Sequence, residues 1–573
     1  MNINDLNTIL PLIDKPGRYL ANEINSIRKP WETAEVKILL SYPDLYELGM
    51  SNQGLEILYN IINEKEGCLA ERVYAPAQDM EALLRKNKIP LFSLESKHSV
   101  SEFNIIGFTL QYELSFTNVL NILDLAGIPV YASERDERYP LVIAGGPCSC
   151  NPEPMADFMD LFVIGDGEQA ITEIMCVYRQ NSKKQKNELL RELAKIEGVY
   201  VPSLYAVAYN DDGTAGGIKP LAENVPAIIK KAVVDINDFN YPVKQLVPLI
   251  KTVHNRLTLE IQRGCAHNCR FCQARVYYYP LRVRARNVLT SMADEGLKCT
   301  GYDEISLSSL SSVDYPGIES LVKELIVKYK NDKISVSLSS LRPDRFSLEL
   351  ASLISQTRKT GLTFALESAS SRLRDVLGKK IDEETVIQTI TDAYRKGWKL
   401  IKLYFMIGLP TEKKEDVETI VGFIRKVKRI NKDLNLNITV SNFVPKPHTP
   451  FQWVAQENIG VLREKSQYLQ NNLKGKVKPS RMEASLLEAV FARGDRKLGR
   501  VINEAWKLGC RFDQWSEHFR FDLWKQAFSS QGISMEFYAT RERSTEEVFP
   551  WDHIDCGVSK QTLLKEYIES GVL

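Results

Sequence analysis

A strand-and-helix alternation that runs twice along the chain constrains its fold more than any other feature. From about Val36 to Gln180 the apolar runs VKILL, FNIIGFTL, LVIAGG and LFVIGDGE are separated by helical patterns near Asn52 to Asn63 and Ser115 to Ala126, and a further helix follows the last run. Strands joined by crossovers of this length lie parallel, which predicts a doubly wound, Rossmann-like α/β domain over residues 36–180 behind an extension of residues 1–35. The alternation resumes over 256–453 with LTLEI, EISLSSL, ISVSLSS, LTFALES, KLIKLYFMIG and ITVSNFV. Six repeats of about 35 residues favour a partial (β/α)6 barrel over residues 251–455. Residues 181–250 read as a connecting region whose DDGTAGG stretch is a hairpin or loop. Beyond Trp453 the pattern turns helical, as in SRMEASLLEAVFARGDRKLGRVINEAWKLG, and predicts a C-terminal helical domain over 456–573.

Composition sets limits on function. Lys plus Arg (74) and Asp plus Glu (73) leave a net charge of +1, so no global field draws the chain to nucleic acid or anionic lipid. The opening MNINDLNTILPLIDKPGRYL lacks the basic flank and long apolar run of a signal peptide, and no apolar stretch of about 18 residues occurs; a cytoplasmic protein without membrane attachment is expected. Of ten cysteines, Cys68, Cys148, Cys150, Cys176, Cys299, Cys510 and Cys556 are scattered or isolated. Three are clustered.

Those three stand in Arg263-Gly264-Cys265-Ala266-His267-Asn268-Cys269-Arg270-Phe271-Cys272, directly after a predicted strand. At this cysteine content a C-x3-C-x2-C triplet arises by chance about 0.003 times per chain. Three thiolates on a short loop suit three irons of a cubane and leave the fourth iron open to a ligand. A structural zinc knuckle is the alternative, and it wants a fourth ligand, for which His267 is the local candidate.

With Phe271 before the last cysteine, this segment resembles the signature of the radical S-adenosylmethionine (SAM) superfamily. The resemblance implies a [4Fe-4S] cluster on Cys265, Cys269 and Cys272, SAM chelated at the open iron, and reductive cleavage of SAM to methionine and a 5'-deoxyadenosyl radical that abstracts hydrogen from an unactivated position. It also implies an electron donor of flavodoxin or ferredoxin type. Glu367, at the end of LTFALES, resembles the acidic residue that contacts the SAM ribose; a helix-capping glutamate is the other reading. The family's second strand ends in Gly-Gly-Glu, whereas this one ends in Leu307-Ser308-Ser309-Leu310-Ser311-Ser312. The acceptor for the SAM ammonium therefore stays open between hydroxyls such as Ser309 and Ser311 and strand-end carbonyls. Ser339 and Arg342 end the third strand and Gly408 the fifth, on the face where parallel barrels place ligands. Arg342 suits a carboxylate or an ordinary salt bridge. Ser441 to Trp453 resembles the sixth-strand end of methylthiotransferase-like and cobalamin-dependent branches, with Phe451 and Trp453 shaping a rigid loop at the cavity mouth and Lys446 and His448 as candidate substrate contacts.

In the N-terminal domain, YPDLYELGMSNQGLEILYNII resembles the entry of a cobalamin-binding domain, where Asp-x-His-x-x-G supplies the cobalt ligand. Here Asp44, Tyr46 and Gly49 hold those places, and a phenol does not replace imidazole as a cobalt ligand. Gly145 and Gly146, and then Gly165 and Gly167, resemble the later cobalamin-type turns, although glycine also serves ordinary tight βα turns. Cobalamin bound base-off and a domain without the cofactor both remain open. Cys148 and Cys150 are candidates for a second cluster or plain thiols.

Lys474, Lys476, Lys478 and Arg481, then Arg493, Arg496, Lys497 and Arg500, interleave with Trp506, Trp515, Trp524 and Trp551, a pattern that suits RNA or solvated helix faces. Three function classes follow. The first is cobalamin-dependent radical methylation of RNA or protein, which needs corrin; the second is methylthiotransferase-like modification of RNA without cobalamin, which needs a sulfur source. The third is a non-catalytic SAM-binding or iron-sulfur scaffold, which does not turn over SAM.

Overall fold

The computed structural model describes residues 3–345, 347–354, 361–430, 433–473 and 477–573. Lys474 and Lys476 lie outside them. The chain divides into two compact units. One comprises Met1–Asn255, Phe491–Ser534 and Glu546–Gly557, the other Arg256–Val490, Met535–Thr545 and Val558–Leu573.

The first unit is built on strands β1 (Val36–Tyr42), β2 (Cys68–Tyr74), β3 (Ile105–Thr109), β4 (Leu141–Gly145), β5 (Leu161–Val163) and β6 (Val199–Tyr200). Their order is β2-β1-β3-β4-β5-β6, the first five parallel and β6 antiparallel to β5. This is the doubly wound sheet expected from the alternation. Its order reverses between β1 and β3, and such sheets place their ligand crevice outside the carboxyl ends at that point. The strand β2, CLAERVY, is absent from the pattern read off the sequence because Glu71 and Arg72 break the apolar run; all seven residues are nevertheless buried. Arg72 is held there by Glu95 (Nε–Oε1 2.6 Å) and Glu23 (Nη2–Oε2 3.2 Å). The expected hairpin pairs Tyr205–Tyr209 with Ala215–Pro220.

Tail residues close this unit. Helix Leu498–Lys507 packs on Phe116–Leu125, and Ile554–Asp555 adds a parallel strand to Ile229–Lys230. Arg493 is fully buried, Arg496 pairs with Glu153 at 2.9 Å, and Trp524 and Trp551 are 1% exposed. Arg493, Trp524 and Trp551 thus serve packing here, whereas Lys478 and Arg500 are exposed and Arg481, Lys497, Trp506 and Trp515 are half-buried.

The second unit carries parallel strands β7 (Leu257–Glu260), β8 (Glu304–Ser308) and β9 (Ser335–Leu338), then β10 (Leu362–Glu367), β11 (Leu400–Ile407) and β12 (Asn435–Asn442). A parallel bridge, Leu341 to Phe364, joins the two sets, and a short seventh strand, Val477–Pro479, lies beside β12. This is the partial barrel, with helices in the crossovers. Because every strand runs the same way, all carboxyl ends share one rim. Left-handed backbone collects on it: Gly264 (φ 97°), Ser340 (51°), Glu367 (65°), Gly408 (75°), Thr411 (61°) and His448 (57°). A non-glycine residue in that region is held by its surroundings, and such residues gather at functional sites. Among the described residues no helix is long and apolar enough to cross a membrane.

Candidate functional site

The cysteine loop leaves the end of β7 through Gly264, whose missing Cβ would stand 2.8–2.9 Å from Tyr278 O, Leu281 Cα and Pro280 O. Only glycine allows the loop to turn so close to that backbone. The loop is then pinned to the end of helix Ser371–Val376: Arg270 N donates to Leu377 O (2.9 Å), and Arg270 Nη1 donates to Asp375 O and Val376 O (2.8 and 2.9 Å). Cys265, Phe271, Cys269 and Cys272 are half-buried. Burial raises all three thiols, Cys272 to about 11, and each also feels the charge of a neighbouring thiol or cation.

The donor set fits a three-thiolate cluster better than zinc. His267, the local candidate for a fourth ligand, is taken by Asp314, with Nε2 2.6 Å from Oδ2. Among the described residues no group of three or more Cys, His, Asp or Glu side chains is gathered closely enough to hold a metal ion, so the assignment of Cys265, Cys269 and Cys272 to one cluster rests on their C-x3-C-x2-C spacing on a single loop. Three thiols on one loop without a fourth protein ligand are what an iron-sulfur cubane with an open iron requires.

The second and third strand ends form one network beside this loop. Ser311 Oγ donates to Asp314 Oδ2 (2.5 Å), Ser309 Oγ to Ser312 Oγ (3.3 Å), and Ser339 Oγ to Ser309 O (3.1 Å), while Ser309 N donates to Ser339 Oγ (3.1 Å). Gln262 Nε2 donates to Ser311 O at 2.8 Å and ties β7 to the same turn. The structure therefore brings Ser309, Ser311 and Ser339 together and adds Asp314, which the sequence reading passed over because it lies beyond the strand. Burial pushes Asp314 up, but hydrogen bonds from His267 and Ser311 and the charges of His267 and Arg342 hold it below the usual carboxylate range. Arg342 forms a two-pronged pair with Asp344 (3.2 and 3.1 Å). Its guanidinium feels the charges of Cys269 and Asp314.

Glu367, at a register shift between β10 and β11, pairs with Lys379 at 2.8 Å, and both act electrostatically on Cys269. A Cβ on Gly408 would meet Leu462 Cδ2 at 2.7 Å, so that glycine serves packing. Past β12, Phe451 and Trp453 are 0% and 1% exposed, Trp453 stacking on Tyr567, so they are core and not a cavity mouth. Lys446 pairs with Glu488 at 3.0 Å and His448 is buried.

In the first unit, the residues assigned by resemblance to cobalamin have internal partners. Tyr46 donates from its hydroxyl to Glu23 Oε1 (2.9 Å). A Cβ on Gly49 would strike the Tyr74 ring at 2.1 Å, one on Gly146 Leu110 O at 2.8 Å, one on Gly165 Ala232 O at 2.2 Å and one on Gly167 Leu58 Cδ2 at 3.3 Å. Gly145 meets only ordinary contacts. Asp44 is wholly buried: Oδ1 accepts from Trp515 Nε1 (2.9 Å) and Leu45 N (2.6 Å), whereas Oδ2 accepts from none of the described residues. Asn118 spans the β1 and β3 loops, donating to Pro43 O (2.8 Å) and accepting from Phe512 N (2.8 Å). As arranged, Phe512 and Trp515 reach the switch point through Asn118 and Asp44. Cys150 Sγ lies 4.0 Å from Cys556 Sγ, a tail thiol that no sequence proximity indicated.

Burial outweighs the hydrogen bonds from Leu45 and Trp515 and raises Asp44 to about 6. A carboxyl raised above its unfolded value binds more protons in the fold than in the unfolded chain, so stability contributed here falls as pH rises from about 4 to about 6. Asp44→Asn removes the charge and is expected to stabilise the first unit at pH 7, on the order of 1–3 kcal/mol before the cost of an unpaired amide N–H. The gap in urea midpoint between variant and parent should shrink as the pH is lowered to 4; a gap independent of pH would refute the assignment.

Comparison with known proteins agrees with this geometry. The family model for the N-terminal region of radical SAM proteins matches residues 54–202, and that for the radical SAM superfamily matches residues 259–424. An uncharacterized protein of Methanocaldococcus jannaschii is 29% identical over 472 residues, 81% of this chain and 90% of that relative. An uncharacterized methyltransferase of Pyrococcus horikoshii is 22% identical over 56% of this chain and 68% of its own length. The ribosomal protein uS12 methylthiotransferase of Petrotoga mobilis is 27% identical over 30% of this chain and 40% of its own. The solved structure of the cobalamin-dependent radical enzyme OxsB, with aqua-cobalamin and SAM bound, matches with a TM-score of 0.50 at 12% identity, covering 97% of this chain and 85% of that one, a likeness of fold. With the cysteine loop on its partial barrel, the chain carries a radical SAM domain over residues 259–424, behind a region, 54–202, that matches the N-terminal part of radical SAM proteins.

Proposed function

We propose that the protein cleaves SAM at a [4Fe-4S] cluster held by Cys265, Cys269 and Cys272 and uses the radical in a transferase-type modification of a protein or RNA. The observation that carries this is the cysteine loop pinned at the barrel rim, with His267 engaged by Asp314 and with Arg342 and Glu367 acting on the loop. The cluster and SAM supply the radical. The chain's own residues orient them: the serine network fixes the second and third strand ends, and Lys379 holds Glu367 at the fourth. Asp44, Tyr46 and the first-unit glycines are structural supports in this reading. Turnover needs an electron donor, for which a flavodoxin or ferredoxin type suits a low-potential cluster.

Relatives named for methyl and methylthio transfer support a one-carbon or sulfur group as the cargo. Cobalamin-dependent methylation is supported by the sheet and by the fold likeness to OxsB. A cobalamin-free modification is the second reading, favoured by the hydrogen bond that Trp515 donates to Asp44. Anaerobic purification with supplied hydroxocobalamin separates them: stoichiometric corrin supports the first, its absence with continued SAM cleavage the second. Isotope transfer from methyl-labelled SAM into lysate protein or RNA fractions tests the substrate class, and label in neither overturns it.

A further inference from the structure

The sequence leaves the acceptor for the SAM ammonium open, since the Gly-Gly-Glu ending is replaced by serines. In the structure each of those hydroxyls donates its one proton to a neighbour and is left as a neutral acceptor, weaker toward an N–H donor than a carboxylate. Ser311 donates to Asp314, Ser309 to Ser312, Ser312 to Leu307 O (3.2 Å), and Ser339 to Ser309 O. Two carboxylates act on the cluster thiols, Asp314 on Cys265 and Glu367 on Cys269. Glu367 is neutralised by Lys379 at 2.8 Å. Asp314 has no lysine or arginine at ion-pair distance among the described residues; its one salt-bridge partner is His267. Both of its short contacts, from His267 and Ser311, fall on Oδ2. Its Oδ1 accepts from none of the described residues and, at 14% side-chain exposure, is not sealed in the core.

We infer that Asp314 accepts the hydrogen bond from the SAM amino group, and that His267, from within the cysteine loop, and Ser311, from the second strand end, are positioning residues that fix its carboxylate. The arrangement suits an N–H donor such as an amine bound to a metal: a carboxylate with one oxygen tied by two donors and the other left to accept a charge-assisted hydrogen bond. It also explains the change of motif. The carboxylate has moved a few residues past the strand, and serines brace the turn that brings it back. This inference rests on the radical SAM reading.

The test uses the full-length reconstituted protein. SAM affinity is followed by the perturbation of the reduced cluster's electron paramagnetic resonance signal, for SAM and for an analogue that lacks the amino group. Asp314→Asn should retain iron, sulfide and the cluster spectrum, weaken SAM at least about tenfold, and bind the deaminated analogue as the parent does. His267→Asn should give a smaller loss of the same selectivity. Equal weakening of SAM and analogue would mark Asp314 as merely structural, and unchanged SAM affinity would overturn the proposal outright. If SAM fails to perturb the cluster of the unmodified protein, the radical SAM reading itself fails. Should Asp314→Asn not fold, Asp314→Glu, which keeps the charge, must restore preference for the amino-bearing ligand.

Discussion

Cys269→Ala abolishes the cluster's visible absorbance and lowers reductive SAM cleavage by at least a thousandfold, about 4 kcal/mol of transition-state stabilisation, while leaving the protein folded. The chemical part of this expectation follows from ligand count. His267, the local candidate for a fourth ligand, is paired with Asp314, so removal of one of the three loop thiols leaves two, too few to hold a cubane with one open iron. The structural part follows from location. Cys269 is half-buried on a loop whose hold on the barrel comes from Arg270 and Gly264, neither of which uses the thiol. Far-ultraviolet circular dichroism and the thermal transition should therefore match the parent. Anaerobic iron and sulfide analysis with chromatographic measurement of 5'-deoxyadenosine checks both parts. Cleavage within tenfold of the parent would show that another centre does the chemistry.

Arg72→Met destabilises the first unit by about 3–5 kcal/mol, the usual cost of removing one partner from a buried ion pair. Glu23 and Glu95 have side chains 0% and 2% exposed, and the Arg72 guanidinium is their common cation. Burial raises Glu95 against the pull of Arg72, so the triad is balanced by a single charge. Without it two carboxylates remain in an apolar strand layer beside Tyr46, Tyr59 and Tyr74. Hydrogen exchange of the β2 peptide reads the effect directly, since its amides exchange through opening of this sheet. Faster exchange by two to three orders of magnitude is expected. The triple variant Arg72→Met, Glu23→Gln, Glu95→Gln should recover most of the loss, because the penalty lies in the stranded charges. If the single variant exchanges like the parent, the triad is not the element that holds β2.

These cases mark how far the chain could be read before folding. The chemistry of the cysteine loop was legible because C-x3-C-x2-C is local: ligands seven residues apart meet whatever the remainder does. Both sheets were legible for a related reason, as parallel strands buried on both faces must be apolar and must alternate with crossovers. The strand β2 escaped because a buried ion triad mimics a surface segment, and only partners at Glu23 and Glu95 reveal it.

What the sequence by itself determined, then, was the cysteine loop, the parallel architecture and the likeness to radical SAM proteins. What only the tertiary structure decided was the use of residues whose partners are distant in the chain. Asp314 joins the site because β8 ends beside the loop that follows β7, which brings His267 within 2.6 Å. Trp515 reaches Asp44 across 471 positions, and Cys556 reaches Cys150 across 406. Phe451, Trp453, Trp524 and Arg493 are spaced like surface or pocket residues but are buried. Periodicity reports which residues share a face, and that is a local property of the backbone. Which face meets another element depends on packing between segments hundreds of residues apart, and no local pattern encodes it.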